Sequence, residues 1–288
     1  MGRKEFAVLV GNGINNIHND NSWNALIDAI VEYCKIDFAI HPEKRKNFPL
    51  LYEEIFLHSA RHHRIKEQAL KAFIAEKVMA FTGNELHEKF RKLETRHILT
   101  TNYELLLEGS TPTSNSSIVR ERLYSVFRHF TIGGKKIWHI HGDCLSPSSI
   151  NLGFEHYSGQ LQHIRNYVAT GPSYQSKKIS KLPLVRRLEY GNVKNYSWVD
   201  LFFTTDLHII GLTLGFVESD LWWLLTFRAR LLIERKALIK NQITYYIPEK
   251  FVPESTHKLD LFRATGVKVV SINEQDEKFY TKVLQKLK

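Results

Sequence analysis

The sequence predicts an α/β fold: a Rossmann-like, mainly parallel β-sheet with helices on both faces and a helical insertion that forms a cap. Three observations lead to this prediction. Apolar runs of strand length alternate with segments of helical periodicity, which is typical of βα units. The first run ends in a Gly-x-Gly turn, and three later runs also end in short polar turns. The 288 residues, 43% of them hydrophobic, can supply the core of one large domain.

Six apolar runs are predicted to be strands. They are Phe6–Val10, Arg96–Thr100, Lys136–Ile140, Leu207–Gly211, Ile243–Ile247 and Val267–Ile272. In a parallel sheet the carboxyl ends of the strands meet at one edge, and ligands bind there. Functional residues are therefore expected in the polar turns that follow these strands.

Most of the predicted helices lie between the first two strands. The predicted stretches are a helix that contains Trp23, Leu26, Ile27 and Ile30, then Pro49–Arg61, Ile65–Phe81, Glu85–Glu94 and, later, Phe154–Val168. Ser22 is a suitable N-cap for the first of them. The segment between the first two predicted strands is longer than a simple crossover connection, so some of these helices are expected to form a cap. We expect one domain over residues 1–288, with helical insertions near 22–94 and 146–199. The Gly/Pro/Ser-rich stretch 169–178 suits a lid.

Composition excludes several classes of protein. Only two cysteines are present, too few for a disulfide framework or a zinc site made of four cysteines. No run of about 18 apolar residues indicates a membrane span, and the N-terminus does not match a secretory signal, so we expect a cytoplasmic protein without a membrane partner. The net charge is +10, but the basic residues are dispersed. Binding to nucleic acid stays open, although no motif indicates it.

The first polar turn is Gly11-Asn12-Gly13. Glycines permit positive φ and let backbone N–H groups approach a diphosphate closely. The dinucleotide fingerprint has a third glycine where this chain has Asn16, so the motif alone fits a plain tight turn equally well. The polar side chains that follow favour a binding site: Asn12, Asn15, Asn16, His18, Asn19 and Asp20.

The second polar turn, residues 100–104, contains Thr101, Asn102 and Glu104. The asparagine can cap a following helix. Alternatively, its amide can hold a ribose hydroxyl or position a water molecule, with Glu104 supporting it.

The third turn contains His139 and His141, whose alternation along a strand predicts that both point to one face. Three interpretations are open. His141 can be a general base; the two histidines can bind a metal with Asp143 and His208; or they can be satisfied inside the sheet. Cys144 has no local signature of a nucleophile.

The fourth turn follows a strongly apolar strand. Gly211 and Thr213 are suited to contact the phosphates or ribose of a nucleotide. Asp220 is either part of the same site or a favourable charge at the start of the next helix.

Taken together and in this order, the four turns resemble the SIR2-like (sirtuin-related) NAD-binding domain. The matching segments are GNGIN, TTNYE, HIHGD and IIGLTLGFVESD, and the resemblance extends from Val8 to about Leu225. The most similar branch is the bacterial one that serves as NAD-consuming effectors in anti-phage defence. The resemblance implies that Asn102 and His141 are catalytic. It implies nucleotide contacts for Gly11, Asn12, Gly13, Asn15, Thr101, Glu104, Gly211, Thr213 and Asp220. His139 has no counterpart in the motif and is expected to be supporting or structural, and Glu104 stands where deacylases carry Asp.

One departure from the family is informative. Protein-deacylating sirtuins carry a zinc module made of four cysteines, which this chain cannot build. The resemblance therefore implies an NAD+ glycohydrolase that releases nicotinamide and ADP-ribose, with NAD as substrate and no metal. Such an effector needs control, so a homo-oligomer and a regulatory protein partner are further expectations. The alternatives are a metal-dependent hydrolase that uses the His-x-His pair, and a non-catalytic module that binds a nucleotide or nucleic acid.

Overall fold

The computed structural model describes residues 5–17, 23–37, 47–110, 112, 121–172, 174, 179–235 and 238–287. The strands are β1 (Phe6–Val10), β2 (His97–Thr100), β3 (Phe130–Ile132), β4 (Lys135–His139), β5 (Asp206–Ile210), β6 (Ile243–Pro248) and β7 (Lys268–Ile272). The α-helices are α1 (Trp23–Tyr33), α2 (Phe48–His63), α3 (Glu67–Met79), α4 (Glu85–Arg91), α5 (Phe154–Arg165), α6 (Leu184–Glu189), α7 (Trp198–Thr204), α8 (Ser219–Ile233), α9 (Thr256–Ala264) and α10 (Asp276–Leu287). None of the helices formed by these residues is both long and apolar enough to cross a membrane.

The described strands form one sheet in the order β3-β4-β2-β1-β5-β6-β7. All neighbours are parallel except β3, which runs antiparallel to β4 at one edge. Val10 at the end of β1 is level with Thr100 of β2 on one side and Ile210 of β5 on the other. The turns after β1, β2 and β5 therefore begin at the same height on one edge of the sheet.

Side-chain alternation along the buried strands produces a core on each face of the sheet. In β1, Ala7 and Leu9 join a large apolar cluster that also contains residues of α5 to α9. Phe6, Val8 and Val10 point to the opposite face and pack with residues of α4 and α10. Helices cover both faces, which confirms the predicted Rossmann-like α/β architecture.

A third apolar cluster accounts for the helices between β1 and β2. Leu26, Ile27 and Ile30 of α1 pack with residues of α2 and α3, and with Tyr103 and Ile150 from the carboxyl edge of the sheet. These three helices thus form a cap over that edge, whereas α4 belongs to the sheet core. Ser22, predicted as the N-cap of α1, lies outside the described residues.

The structure differs from the sequence prediction at several places. The edge strand β3 was not predicted, because three residues are too few to show a period of two. Helix α5 ends at Arg165 and continues as a π-helical turn to Thr170. Most of the second insertion packs on the sheet: α5, α6 and α7 contribute to its larger core. Part of the stretch 169–178, predicted as a lid, lies outside the described residues, and the single-domain boundaries stay a prediction.

Candidate active site

A cavity lies at the carboxyl edge of the sheet, where the ends of β1 and β5 are side by side. These strands are neighbours in space, but β2, β3 and β4 separate them along the chain. Such a switch point leaves a crevice in which α/β proteins bind ligands. The cavity measures about 530 Å³, which is within the roughly 300–1,000 Å³ of small-molecule sites.

The predicted site residues divide into those that line the cavity and those behind its wall. The lining residues among them are Asn12, Gly13, Thr101, His141, Gly211 and Thr213. Those that do not line it are Gly11, Asn15, Asn102, Glu104 and Asp220. In the second group, Asp220 contacts His141 and Asn15 contacts Asn12, and both of these partners line the cavity.

The turn after β1 needs glycines because the turn after β5 lies directly against it. A Cβ on Gly11 would lie 2.6 Å from the carbonyl oxygen of Gly211, and one on Gly13 would lie 2.8 Å from the same atom. The N–H of Gly11 donates to Ile210 at 3.0 Å, and that of Gly13 donates to Gly211 at 2.8 Å. Only Gly211 of the three glycines has positive φ, +64°. The first turn does not use the positive φ that glycine permits, and the N–H groups of Gly11 and Gly13 bond to the neighbouring strand end and turn; its glycines allow two turns to touch.

Asn102 follows β2 inside a buried hydrogen-bond network. Its backbone N–H donates to Thr100 Oγ1 at 3.0 Å, and its Nδ2 donates to Glu104 Oε1 at 3.1 Å. Asn15 Nδ2 donates to the same Glu104 oxygen at 3.1 Å, which links the turns after β1 and β2. Burial raises the pKa of Glu104, although hydrogen bonds from Asn15 and Asn102 oppose this shift. Asn102 Oδ1 is buried and has no hydrogen-bond partner among the described residues, which is uncommon for a buried polar atom.

The two histidines after β4 have separate partners. Strand β4 ends at His139, so the predicted alternation of His139 and His141 along one strand is wrong. His139 Nδ1 lies 2.7 Å from the carbonyl oxygen of Asn102, and its Nε2 lies 2.9 Å from Glu108 Oε1. Burial alone would lower the pKa of His139, but the charge and hydrogen bond of Glu108 raise it to about 9. His139 therefore fixes the backbone that carries Asn102.

His141 lines the cavity and is buried. Its Nε2 lies 3.0 Å from Oδ2 of Asp220, which is itself fully buried at the start of α8. The ring also meets Tyr157 edge to face, with centroids 5.2 Å apart. Burial by itself lowers the pKa of His141, but the charge and hydrogen bond of Asp220, with the charge of Glu218, outweigh it and raise the pKa.

One wall of the cavity was not predicted from the sequence. It includes Glu218 before α8, Tyr245 in β6, and residues that follow β6 or β7, namely Lys250, Lys258, Asp276 and Tyr280. Lys258 Nζ donates to the Thr213 carbonyl at 2.5 Å and lies 5.8 Å from the centre of the Tyr245 ring. Because β6 and β7 were predicted as parallel strands, the polar residues after them were a usable signal for this wall.

The predicted metal ligands are engaged with other groups. Asp143 lies 3.2 Å from Arg128 in a buried ion pair, and His208 Nδ1 lies 3.1 Å from the Tyr246 hydroxyl. Within the described ranges, no three His, Cys, Asp or Glu side chains are grouped so that they could hold a metal ion. The structure therefore does not assemble the site that the metal-dependent alternative requires.

The polar groups at the cavity include an acceptor and a cation. The unpartnered Asn102 Oδ1 lies beside the lining residue Thr101, and the Lys258 ammonium belongs to the wall, so the cavity suits a ligand with hydroxyls and negative charge. Residues 96–183 match the family model of the SIR2-like domain. This range begins one residue before β2, ends one residue before α6 and includes Asn102 and His141. No curated protein matches the chain.

Proposed function

Because the chain carries a SIR2-like domain, we propose that it is an NAD+ glycohydrolase that cleaves the nicotinamide–ribose bond to give nicotinamide and ADP-ribose. The SIR2-like domain indicates an NAD-related function, consistent with an NAD-dependent enzyme. The observation that carries the finer proposal is the position of His141. It lines a cavity at the β1–β5 switch point, and the adjoining Asn102 presents a buried acceptor without a partner.

The proposed reaction requires little covalent chemistry from the protein. Nicotinamide leaves as a neutral molecule while positive charge develops on the ribose, so the protein must position the ribose and one water and transfer a proton. In this proposal Asn102 orients the water and the ribose, and His141 acts as a base towards a ribose hydroxyl or the water. In the same proposal, the turns that contain Gly13, Gly211 and Thr213 contact the bound nucleotide.

Water is the proposed acceptor, in place of an acyl-lysine. Cys34 and Cys144 are the chain's two cysteines, and both are buried as free thiols. They cannot supply the zinc module of four cysteines that accompanies protein-deacylating sirtuins. Lys258 and Lys250 at the cavity wall support binding of a negatively charged ligand such as a dinucleotide.

The test is incubation of the purified protein with NAD, with nicotinamide and ADP-ribose quantified over time. We expect turnover by the wild type, and a loss of about 10²–10⁴-fold in Asn102→Ala and in His141→Ala. The exposed residues Asn192 and His63 offer matched controls, and Asn192→Ala and His63→Ala are expected to keep wild-type rates. Wild-type turnover by both site variants would contradict the assignment.

Binding and chelation experiments on the purified protein distinguish the alternative functions. Tight binding of ADP-ribose without turnover would favour a non-catalytic nucleotide-binding module, and steeply salt-dependent DNA binding would favour a nucleic-acid-binding one. Loss of turnover after chelation, restored by added metal, would favour the metal-dependent hydrolase. We expect turnover that is insensitive to chelators.

The biological setting is part of the proposal and rests on the resemblance of the four turns. We propose a cytoplasmic effector of anti-phage defence whose NAD cleavage is held off until infection. Control through self-association or a regulatory protein partner belongs to the same proposal. Expression of wild type and His141→Ala in phage-challenged bacteria, with cellular NAD measured, tests it: only the wild type should deplete NAD and limit phage growth.

A further inference from the structure

Glu218 is a half-buried residue in the wall of the cavity, and the roles proposed above do not use its carboxylate. It lies in the loop between β5 and α8 and lines the cavity together with His141. Its Oε2 is buried and has no hydrogen-bond partner among the described residues. The other acidic residues that line the cavity, Glu254 and Asp276, are exposed. Among the described residues that line the cavity, Glu218 is therefore the one carboxylate that is not exposed.

The surroundings of Glu218 raise the pKa of its carboxyl group to about 7. Burial is the largest influence and raises the pKa, and the charge of Asp220 also raises it. The charges of His141 and Lys258 and a backbone hydrogen bond at Gly215 lower it. Three tyrosines complete the set of titratable groups around it: Tyr103, Tyr157 and Tyr245. A group that changes protonation near neutral pH is suited to exchange a proton with a substrate or water.

The pairing of His141 leaves a role for such a group. His141 Nε2 is hydrogen-bonded to Asp220, and that carboxylate raises the pKa of the imidazole. This contact occupies one of the two ring nitrogens and leaves the other for a ligand. That nitrogen can serve the ribose hydroxyl or the water but not both at once, so a second acceptor in the cavity wall suits the proton that the water loses.

We propose that Glu218 is the general base that receives the proton of the attacking water, with His141 acting on the ribose hydroxyl. This inference rests on the proposed NAD+ glycohydrolase function. In the step, the water oxygen forms a bond to ribose C1′, and the bond from C1′ to the nicotinamide nitrogen breaks. The electron pair of that bond leaves with nicotinamide, which becomes neutral, and one water proton passes to the Glu218 carboxylate. The step involves no oxidation or reduction.

The pH profile of Glu218→Gln tests the proposal. In the wild type we expect kcat for NAD cleavage to rise with pH through about 7, as Glu218 loses its proton. Glu218→Gln should lower kcat by about 10²–10⁴-fold with KM changed only slightly, and this rising limb should vanish. Glu218→Asp should restore part of the rate because it keeps a carboxylate. The control Glu249→Gln removes an exposed carboxylate outside the cavity and should leave rate and profile unchanged.

A second readout does not depend on turnover. Ionised Glu218 raises the pKa of His141, so NMR titration should give a lower His141 pKa in Glu218→Gln than in the wild type. ADP-ribose should bind both proteins with similar affinity. An unchanged rate and profile in Glu218→Gln would overturn the role of Glu218 and leave NAD cleavage standing. Loss of ADP-ribose binding in that variant would also overturn it, in favour of a binding role. A wild type that cleaves no NAD would overturn the proposed function and, with it, this inference.

Discussion

His141 Nε2 and Asp220 Oδ2 lie 3.0 Å apart, and both side chains are buried. The two residues come from different parts of the chain: His141 follows β4, and Asp220 lies in the first turn of α8. They meet because α8 begins soon after β5, at the same edge of the sheet. Asp220 was predicted either as a nucleotide contact or as a helix-start charge, and its observed contact gives it a third role, that of orienting His141.

Replacing the carboxylate of Asp220 tests this orienting role. Asp220→Asn keeps the size of the side chain but removes the charge that raises the pKa of His141. We expect the His141 pKa to fall, and NAD cleavage to fall by roughly 10-fold or more, up to the about 10²–10⁴-fold that a positioned acid–base group contributes. NMR titration of the imidazole and an NAD cleavage assay measure the two effects. Asp260→Asn, an exposed position on α9, is the control; an unchanged His141 pKa in Asp220→Asn would contradict the prediction.

The carboxylate of Glu104 links two turns and offers a second prediction. Its Oε1 accepts hydrogen bonds from the side-chain amides of Asn15 and Asn102. Glu104→Leu leaves both buried amides without this acceptor, at a cost of about 1–3 kcal/mol for each unsatisfied group. Glu104→Gln retains an acceptor oxygen and should cost much less. Urea denaturation gives the free energies of unfolding, and equal values for Leu and Gln would show that these hydrogen bonds contribute little.

Much of the fold was predictable because its signals are local. The buried strands show as short apolar runs, and the turns after β1, β2, β4 and β5 show as polar residues directly behind them. The strand order, by contrast, depends on tertiary packing. Local sequence also could not predict that α1 to α3 leave the sheet and form a cap, because an amphipathic helix does not specify which surface it covers.

The candidate site, like the fold, was predictable only where its contacts join residues that are close in the sequence. Asn102 and Glu104 are two residues apart, so their contact could be anticipated from the sequence. The contacts of Asn15 with Glu104 and of His141 with Asp220 span 89 and 79 residues, and they exist only once the strand order is known. Glu218 was not predicted as a site residue because an acidic residue before a helix is ordinarily explained as a favourable helix-start charge. Its position in the wall of the cavity, which only the structure shows, indicates a further role.

The buried pair of His139 and Glu108 predicts a pH-dependent contribution to stability. The pKa of His139 in the folded protein is raised from 6.5 to about 9. A raised pKa contributes stability that is fully present below about 6.5 and is lost as pH rises through about 9. The contribution is on the order of 3 kcal/mol.

The measurement compares wild type with Glu108→Gln by urea denaturation between pH 6 and pH 10. The difference in unfolding free energy should be largest near pH 6 and should shrink towards pH 10. Glu277→Gln breaks a surface ion pair with Lys89 and serves as the control, with an expected effect below about 1 kcal/mol. A difference between wild type and Glu108→Gln that stays constant over this range would contradict the prediction.

The contact between the turns after β1 and β5 leaves no room for a side chain at Gly11. A Cβ there would lie 2.6 Å from both the Gly211 carbonyl oxygen and the Leu212 Cα, and neither backbone atom can move without shifting the end of β5. We expect Gly11→Ala to cost about 1–3 kcal/mol of stability, as overpacked cores do, and to weaken ADP-ribose binding because the cavity wall moves. Gly83→Ala is the matched control: its Cβ would lie 3.6 Å from Leu106 Cδ2, so its effect should stay within about 0.5 kcal/mol. Urea denaturation and calorimetric titration with ADP-ribose measure both quantities, and equal stability of the two alanine variants would contradict the argument that the glycine exists for the close approach of the turns.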